Sequence, residues 1–222
     1  MAPTPPSTPA GACWSSTTGL NDHVASARGT DPVLTDRLLL TPVGVEHAGE
    51  LERLYSEPLV ACWTGPWTPA GVEAWARGMA ARWAGDGVGK WMAYDRSDAT
   101  LVGRGGLSRT VLGGETVLEV GWVVRDELTG RGYAAEIGRA ALGWATTFFP
   151  ELPVVAFTEV HNLASLAVMR RLGLRSSGVI YREGLVAGRA GLHADAPFAL
   201  YRAAPDRRPL EADPSAGRGQ VC

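Results

Sequence analysis

Leu128-Thr129-Gly130-Arg131-Gly132-Tyr133-Ala134-Ala135-Glu136 stands between a β-branched run, Thr116–Val124 (TVLEVGWVV), and a stretch of helical spacing over residues 132–149. Ile137, Ala141, Leu142 and Trp144 mark one face of that helix, and Pro150 ends it. Glycines at 130 and 132 let backbone approach a ligand closely. The helix start behind them presents free N–H groups and a partial positive charge, a geometry that suits a pyrophosphate. A plain strand-to-helix turn is the alternative reading of a lone G-x-G. A P-loop is excluded because G-x-x-x-x-G-K-[ST] is absent. A dinucleotide fingerprint is weak, because Ala135 stands at the third glycine position and several elements precede the loop.

Downstream, the apolar run Pro153–Thr158 reads as a buried strand, and Leu163–Leu172 as a helix ended by Gly173. Asn162 stands where its side chain caps that helix, and Ser165 lies one turn inside. Upstream, Arg37–Thr41 is a short strand, followed by a helix over residues 46–56. Thr68-Pro69 starts a helix carrying Val72, Trp75, Ala76, Met79 and Trp83, which Gly85-Asp86-Gly87 stops. Lys90–Tyr94 and Thr100–Ser108 form a hairpin, and two last strands are expected near Arg175–Tyr181 and Pro197–Arg202. The order predicts an α/β (α+β) layered domain, a mixed central sheet flanked by helices.

The chain has 222 residues, 45% hydrophobic and 20% charged, with net charge −2. That composition supports a sizeable core and gives no electrostatic reason to expect nucleic acid. Residues 1–30 and 204–222 read as flexible tails around a domain over 31–203. The N-terminus lacks the basic and apolar regions of a signal peptide, and no stretch nears the ~18 apolar residues of a membrane span. Cys13, Cys62 and Cys222 are too far apart for a disulfide framework or zinc site, and His23, His47, His161 and His193 are equally scattered. Free thiols and a cytoplasmic location follow as expectations. Glycine (28) and proline (15) are abundant, and Lys90 is the only lysine.

Together the two segments resemble the GNAT (N-acetyltransferase) superfamily. Its R/Q-x-x-G-x-G/A loop is matched by Thr129-Gly130-Arg131-Gly132-Tyr133-Ala134, with Thr129 in place of the first Arg or Gln. Its N-x-x-S…K-x-G-F signature is matched by Asn162, Ser165, Arg171, Gly173 and Leu174. Leu34–Leu40, with Thr35 and Arg37, is similar to the T-x-R-L-x-L start of the RimJ/RimL-type, ribosomal-protein N-terminal acetyltransferase branch. Glu119-Val120-Gly121-Trp122 followed by Gly130–Ala134 is similar to that branch's E-x-G-[YW]…G-[KR]-G-[YF]-A. The resemblance runs from about Leu34 to Arg202. It implies the GNAT fold and acetyl-CoA as co-substrate, with no metal required. It places the pyrophosphate on the amides of Gly130–Ala134 and the pantetheine along the edge of Trp122, Val123 and Val124, with Asn162 and Ser165 also at the cofactor.

The acceptor is then a primary amine, which attacks only when neutral. An α-amino group is roughly 10% neutral at pH 7, a lysine only ~0.04%. Glu119 is the candidate general base, its other role being a strand-face carboxylate paired with a neighbouring arginine. Ser165 is the candidate partner of the leaving thiolate, and a backbone N–H of Trp122–Val124 the oxyanion donor. No step is expected to need a lysine. Trp63, Trp67, Trp75, Trp83 and Trp91 crowd the acceptor side. Most are expected in the core, with Trp63-Thr64-Gly65-Pro66-Trp67 a loop that lines an acceptor pocket. A peptide N-terminal α-amine is the branch default, and a small amine such as an aminoglycoside-like polyamine the other acceptor. The competing readings are a catalytically silent acyl-CoA-binding sensor of the same fold, and a module whose sheet edge pairs two copies as a homodimer. No nucleic acid or membrane partner is expected.

Overall fold

Leu38 and Leu40 are fully buried while Leu39 between them is only partly so, the period-2 alternation that makes their strand a core element. The computed structural model describes residues 31–204. Apart from Ala204, the tails predicted over 1–30 and 204–222 lie outside the described residues, as do Cys13, His23 and Cys222.

Along the chain run β1 (Val33–Leu34), β2 (Leu38–Pro42), α1 (Ala48–Ser56), α2 (Pro58–Thr64), α3 (Pro69–Asp86), β3 (Lys90–Asp95), β4 (Leu101–Leu112), β5 (Glu115–Val124), α4 (Tyr133–Phe148), β6 (Val154–Glu159), α5 (Leu163–Arg171), β7 (Arg175–Leu185) and β8 (Leu192–Arg202). The strands form one sheet in the order β1-β2-β3-β4-β5-β6-β8-β7. Every neighbouring pair is antiparallel except β5 and β6, so the sheet is mixed.

Helices cover both faces. On one, Ile137, Ala141 and Trp144 of α4 pack against Leu38, Leu40, Trp91, Val102 and Val120. Trp144 meets Trp83 and Trp91 edge-on at 5.9 and 5.7 Å between ring centroids. On the other face, Leu51 and Leu54 of α1 and Val72, Ala76 and Met79 of α3 enclose Val43 and Met92. Each such aliphatic side chain contributes about 1.5–3 kcal/mol by leaving water.

Thr68 caps α3 by accepting the Gly71 amide at 3.1 Å, with Pro69 at the first position, as its sequence predicts. Four elements differ from expectation. β1 is a two-residue pairing with β2, too short to carry a pattern. The hairpin strands β7 and β8 each run to 11 residues. Trp63 and Thr64 belong to helix α2 and not to a loop. Pro58 occupies the first turn of α2, where its missing N–H costs nothing, and seven residues are too few to show a helical period.

Candidate functional site

β5 and β6 exchange register only at Leu118↔Val154 and Glu119↔Val155. Beyond Glu119 they part, while β5 continues pairing with β4 to Val124. That leaves the far edge of Val120–Val124 without a strand neighbour among the described residues. After β5, a short 3-10 turn at Asp126–Leu128 leads into the glycine loop. Gly130 and Gly132 have φ of 81° and 86°, left-handed values that side chains with a Cβ rarely take. Gly132 is also the N-cap of α4. The first α4 amide to find an acceptor in that turn is that of Glu136, on Gly132 O at 3.1 Å. The amides of Tyr133–Ala135 therefore lack intrahelical acceptors.

The open edge of β5, the glycine loop, α2 and α5 enclose a cavity of about 470 Å³. Its lining brings together Trp122, Val123 and Val124 of β5, Thr129, Gly130, Gly132, Tyr133 and Ala134 around the α4 start, and Asn162 and Ser165 of α5. Arg171 lies on the same wall. Arg131 is exposed and Glu119 lies earlier on β5; neither lines the cavity. Asn162 is buried, and its Oδ1 accepts the Ser165 amide at 3.1 Å, so the capping bond also fixes the turn carrying Ser165. The residues present fit a pyrophosphate: among the described residues, a Cβ built on Gly130 would meet nothing within 4 Å, so loop backbone is open to a ligand at a helix start.

A carboxylate that the sequence reading passed over anchors this loop. Glu136, in the first turn of α4, accepts from Thr35 Oγ1 at 2.6 Å, from the Arg37 amide at 2.8 Å and from Arg37 Nε at 2.7 Å. Arg37 also donates to Arg131 O at 3.1 Å and lies 4.3 Å over the Tyr133 ring. Burial alone would raise the Glu136 carboxyl, but the hydrogen bonds from Thr35 and Arg37 outweigh it and hold it below its ordinary value. Thr35 and Arg37 thus tie the start of the domain to the loop. Their available signal was their place in the T-x-R-L stretch.

Glu119 is paired, but not with an arginine. Lys90 Nζ lies 3.7 Å from Glu119 Oε2, and it donates to Gly106 O at 3.1 Å and to Glu119 O at 3.4 Å. Burial lowers the Lys90 ammonium to about 8, Glu119 partly opposing the fall while Arg104 and Arg82 add to it. The only lysine of the sequence therefore lies beside the candidate base, a contact that spacing along the chain does not announce.

α2 closes the other side. Glu57 accepts from Arg125 Nε at 2.7 Å and from the Asp126 amide at 2.6 Å, while Asp126 accepts the Leu59 amide at 3.0 Å. These bonds pin the start of α2 to the turn preceding the glycine loop. Leu59, Trp63 and Thr64 line the cavity. Trp63 also packs on His161 with ring centroids 5.2 Å apart, so one tryptophan of the set lies at the site, whereas Trp83 and Trp91 are core.

A family profile described as "Acetyltransferase (GNAT) domain" matches residues 37–175. Among curated relatives, the chain is 29% identical over 96 residues to the uncharacterized protein YkkB of Bacillus subtilis. The aligned part is 43% of this chain and spans 56% of that relative's length. The ribosomal-protein-S5-alanine acetyltransferase of Vibrio fischeri superposes with a TM-score of 0.66 at 14% identity, over 80% of this chain and 98% of that one. A RimL ribosomal L7/L12 alpha-N-protein acetyltransferase in complex with coenzyme A superposes with a TM-score of 0.62 at 13% identity, over 78% of this chain and 97% of that one. At these identities the superpositions speak for the fold.

Proposed function

The chain belongs to the GNAT acetyltransferase family and has its fold, and from that premise we propose that it transfers an acetyl group from acetyl-CoA to a primary amine by direct attack in a ternary complex. The observation that carries the reading is the cavity between the free edge of β5 and the starts of α4 and α5, with a glycine loop at its base. Bound acetyl-CoA supplies an acyl group already activated as a thioester. In this reading the amides of Gly130–Ala134 hold the pyrophosphate, and the free edge of Trp122–Val124 pairs with the amide groups of the pantetheine as an added strand would. Glu119 removes the amine proton, directly or through a water, and Ser165 supplies a proton or hydrogen bond to the leaving thiolate. A β5 backbone N–H steadies the carbonyl oxygen.

The acceptor we favour is a peptide N-terminal α-amine. Its neutral fraction at pH 7 exceeds that of a lysine by a factor of about 200. It therefore asks less of a carboxylate base held on a strand. The relation to the RimJ/RimL branch rests on the Thr35–Arg37 and Glu119–Trp122 stretches and on low-identity structural likeness.

Free-thiol release from acetyl-CoA in the presence of peptides with different first residues, aminoglycosides and polyamines tests the reading. Turnover with one or more peptides supports it. Tight acetyl-CoA binding with no thiol release on any amine would instead identify an acyl-CoA sensor. Glu119→Gln should slow turnover most at acidic pH without weakening acetyl-CoA binding, and an unchanged pH–rate profile removes Glu119 from the mechanism.

A further inference from the structure

The environment of Lys90 is built around its head group. On one face of the sheet, register places Lys90 of β3, Gly106 of β4 and Gly121 of β5 in a row, with Ser108 and Glu119 in the next row. Gly121, having no side chain, leaves a trough, and the Lys90 side chain, only 6% exposed, ends in it. An ammonium has three N–H donors, and three oxygens lie near it: Gly106 O, Glu119 O and Glu119 Oε2. A Cβ at Gly121 would fall 3.1 Å from Glu119 Oε1 and 3.3 Å from Lys90 Nζ, so the missing side chain is the space in which the pair meets.

Stability does not account for this arrangement. A buried ion pair costs desolvation, and well-packed apolar residues in its place are often as stable or more so. Histidines aside, all other basic side chains of the protein are arginines. A compact point charge fits between three oxygens, whereas a planar guanidinium with five donors does not.

We propose that Lys90 is a positioning residue for the general base, holding the Glu119 carboxylate in one orientation from within the glycine trough. The inference rests on Glu119 acting as the base. The charged groups around Lys90 are Glu119 on β5, Arg104 on β4 and Arg82 on α3. The carboxylate favours the ammonium and the two arginines oppose it. Once deprotonated, the amine offers two donors to the same oxygens and loses its attraction for the carboxylate, so turnover declines as Lys90 titrates.

The full chain, supplied with lysine labelled with carbon-13 at Cε, gives a single lysine side-chain resonance whose shift against pH reports this one group. The midpoint should lie near 8, and Glu119→Gln should move it lower. Lys90→Met fills the trough without charge. It should reduce kcat about 10- to 100-fold, less than the 10²–10⁴ that a general base itself supplies, while leaving KM for acetyl-CoA unchanged and abolishing the alkaline decline. Should Lys90→Met fail to fold, Gly121→Ala crowds the pair while keeping both charges, and should lower kcat and shift the midpoint. A midpoint unmoved by Glu119→Gln, or a folded Lys90→Met with wild-type kcat and pH profile, overturns the proposal. If no amine is acetylated, the proposed function fails, and the resonance still decides whether the pair exists.

Discussion

Glu136→Gln preserves the shape of the side chain and removes its charge, so it isolates what the carboxylate contributes. One carboxylate oxygen accepts from Thr35 Oγ1 and the Arg37 amide, and the other takes Arg37 Nε and, at 2.6 Å, Arg37 Nη2. In glutamine one of those oxygens becomes an NH₂ that faces donors whichever way the amide turns. Hydrogen bonds to a charged group contribute about 1.5–3 kcal/mol each. Two are lost, and because the Arg37 side chain is 43% exposed the sum is discounted to about 2–4 kcal/mol. For a domain of this size that is a fall in Tm of roughly 5–15 °C. Its pH dependence follows from the depressed carboxyl. The stabilisation is fully present above the unfolded-state pKa of about 4.3 and is lost as pH falls through the lower folded value. Urea unfolding of both proteins, followed by circular dichroism from pH 7 to pH 3, should therefore show a gap that is constant near neutrality and closes in acid. A gap below about 0.5 kcal/mol at pH 7, or one that persists undiminished to pH 3, refutes the reasoning.

Three other substitutions probe the site directly. Gly132→Val forces a β-branched residue into φ of 86° at the α4 start and should abolish acetyl-CoA binding by isothermal titration; retained tight binding would mean that the loop is not the cofactor site. Asn162→Ala removes the cap on α5 and should cost about 1 kcal/mol in thermal unfolding, with a fall in turnover because the turn bearing Ser165 loosens. Trp63→Ala opens the wall between α2 and His161, and should raise KM for the amine more than KM for acetyl-CoA; equal effects on both would place Trp63 outside acceptor recognition.

Long periodic elements and several helix boundaries are legible in the sequence. Thr68-Pro69, Asn162 and Gly173 carry local chemistry that acts through near neighbours, and each lies where α3 or α5 begins or ends. The edge of Trp122–Val124 was also singled out, by the resemblance, and the register leaves it open. What stayed hidden depends on pairings distant in sequence. Glu136 reads as an ordinary first-turn acid, and its partners lie about a hundred residues earlier. Lys90 meets Glu119 across the intervening strand β4, and no local pattern in Lys90–Tyr94 announces a cation among buried neighbours. α2 is hidden for a different reason: its position is secured by Glu57, Arg125 and Asp126, contacts between segments rather than a periodic face.

The short parallel seam between β5 and β6 sets an asymmetry in how firmly backbone protons are held. Over Val120–Val124, the amides directed toward β4 are locked in a ladder, and alternate ones face the opened side. Hydrogen–deuterium exchange along this strand should then read as slow and fast in turn, residue by residue. A pantetheine laid along the open edge would erase the alternation, making this half-strand its own reporter of cofactor occupancy at single-residue resolution.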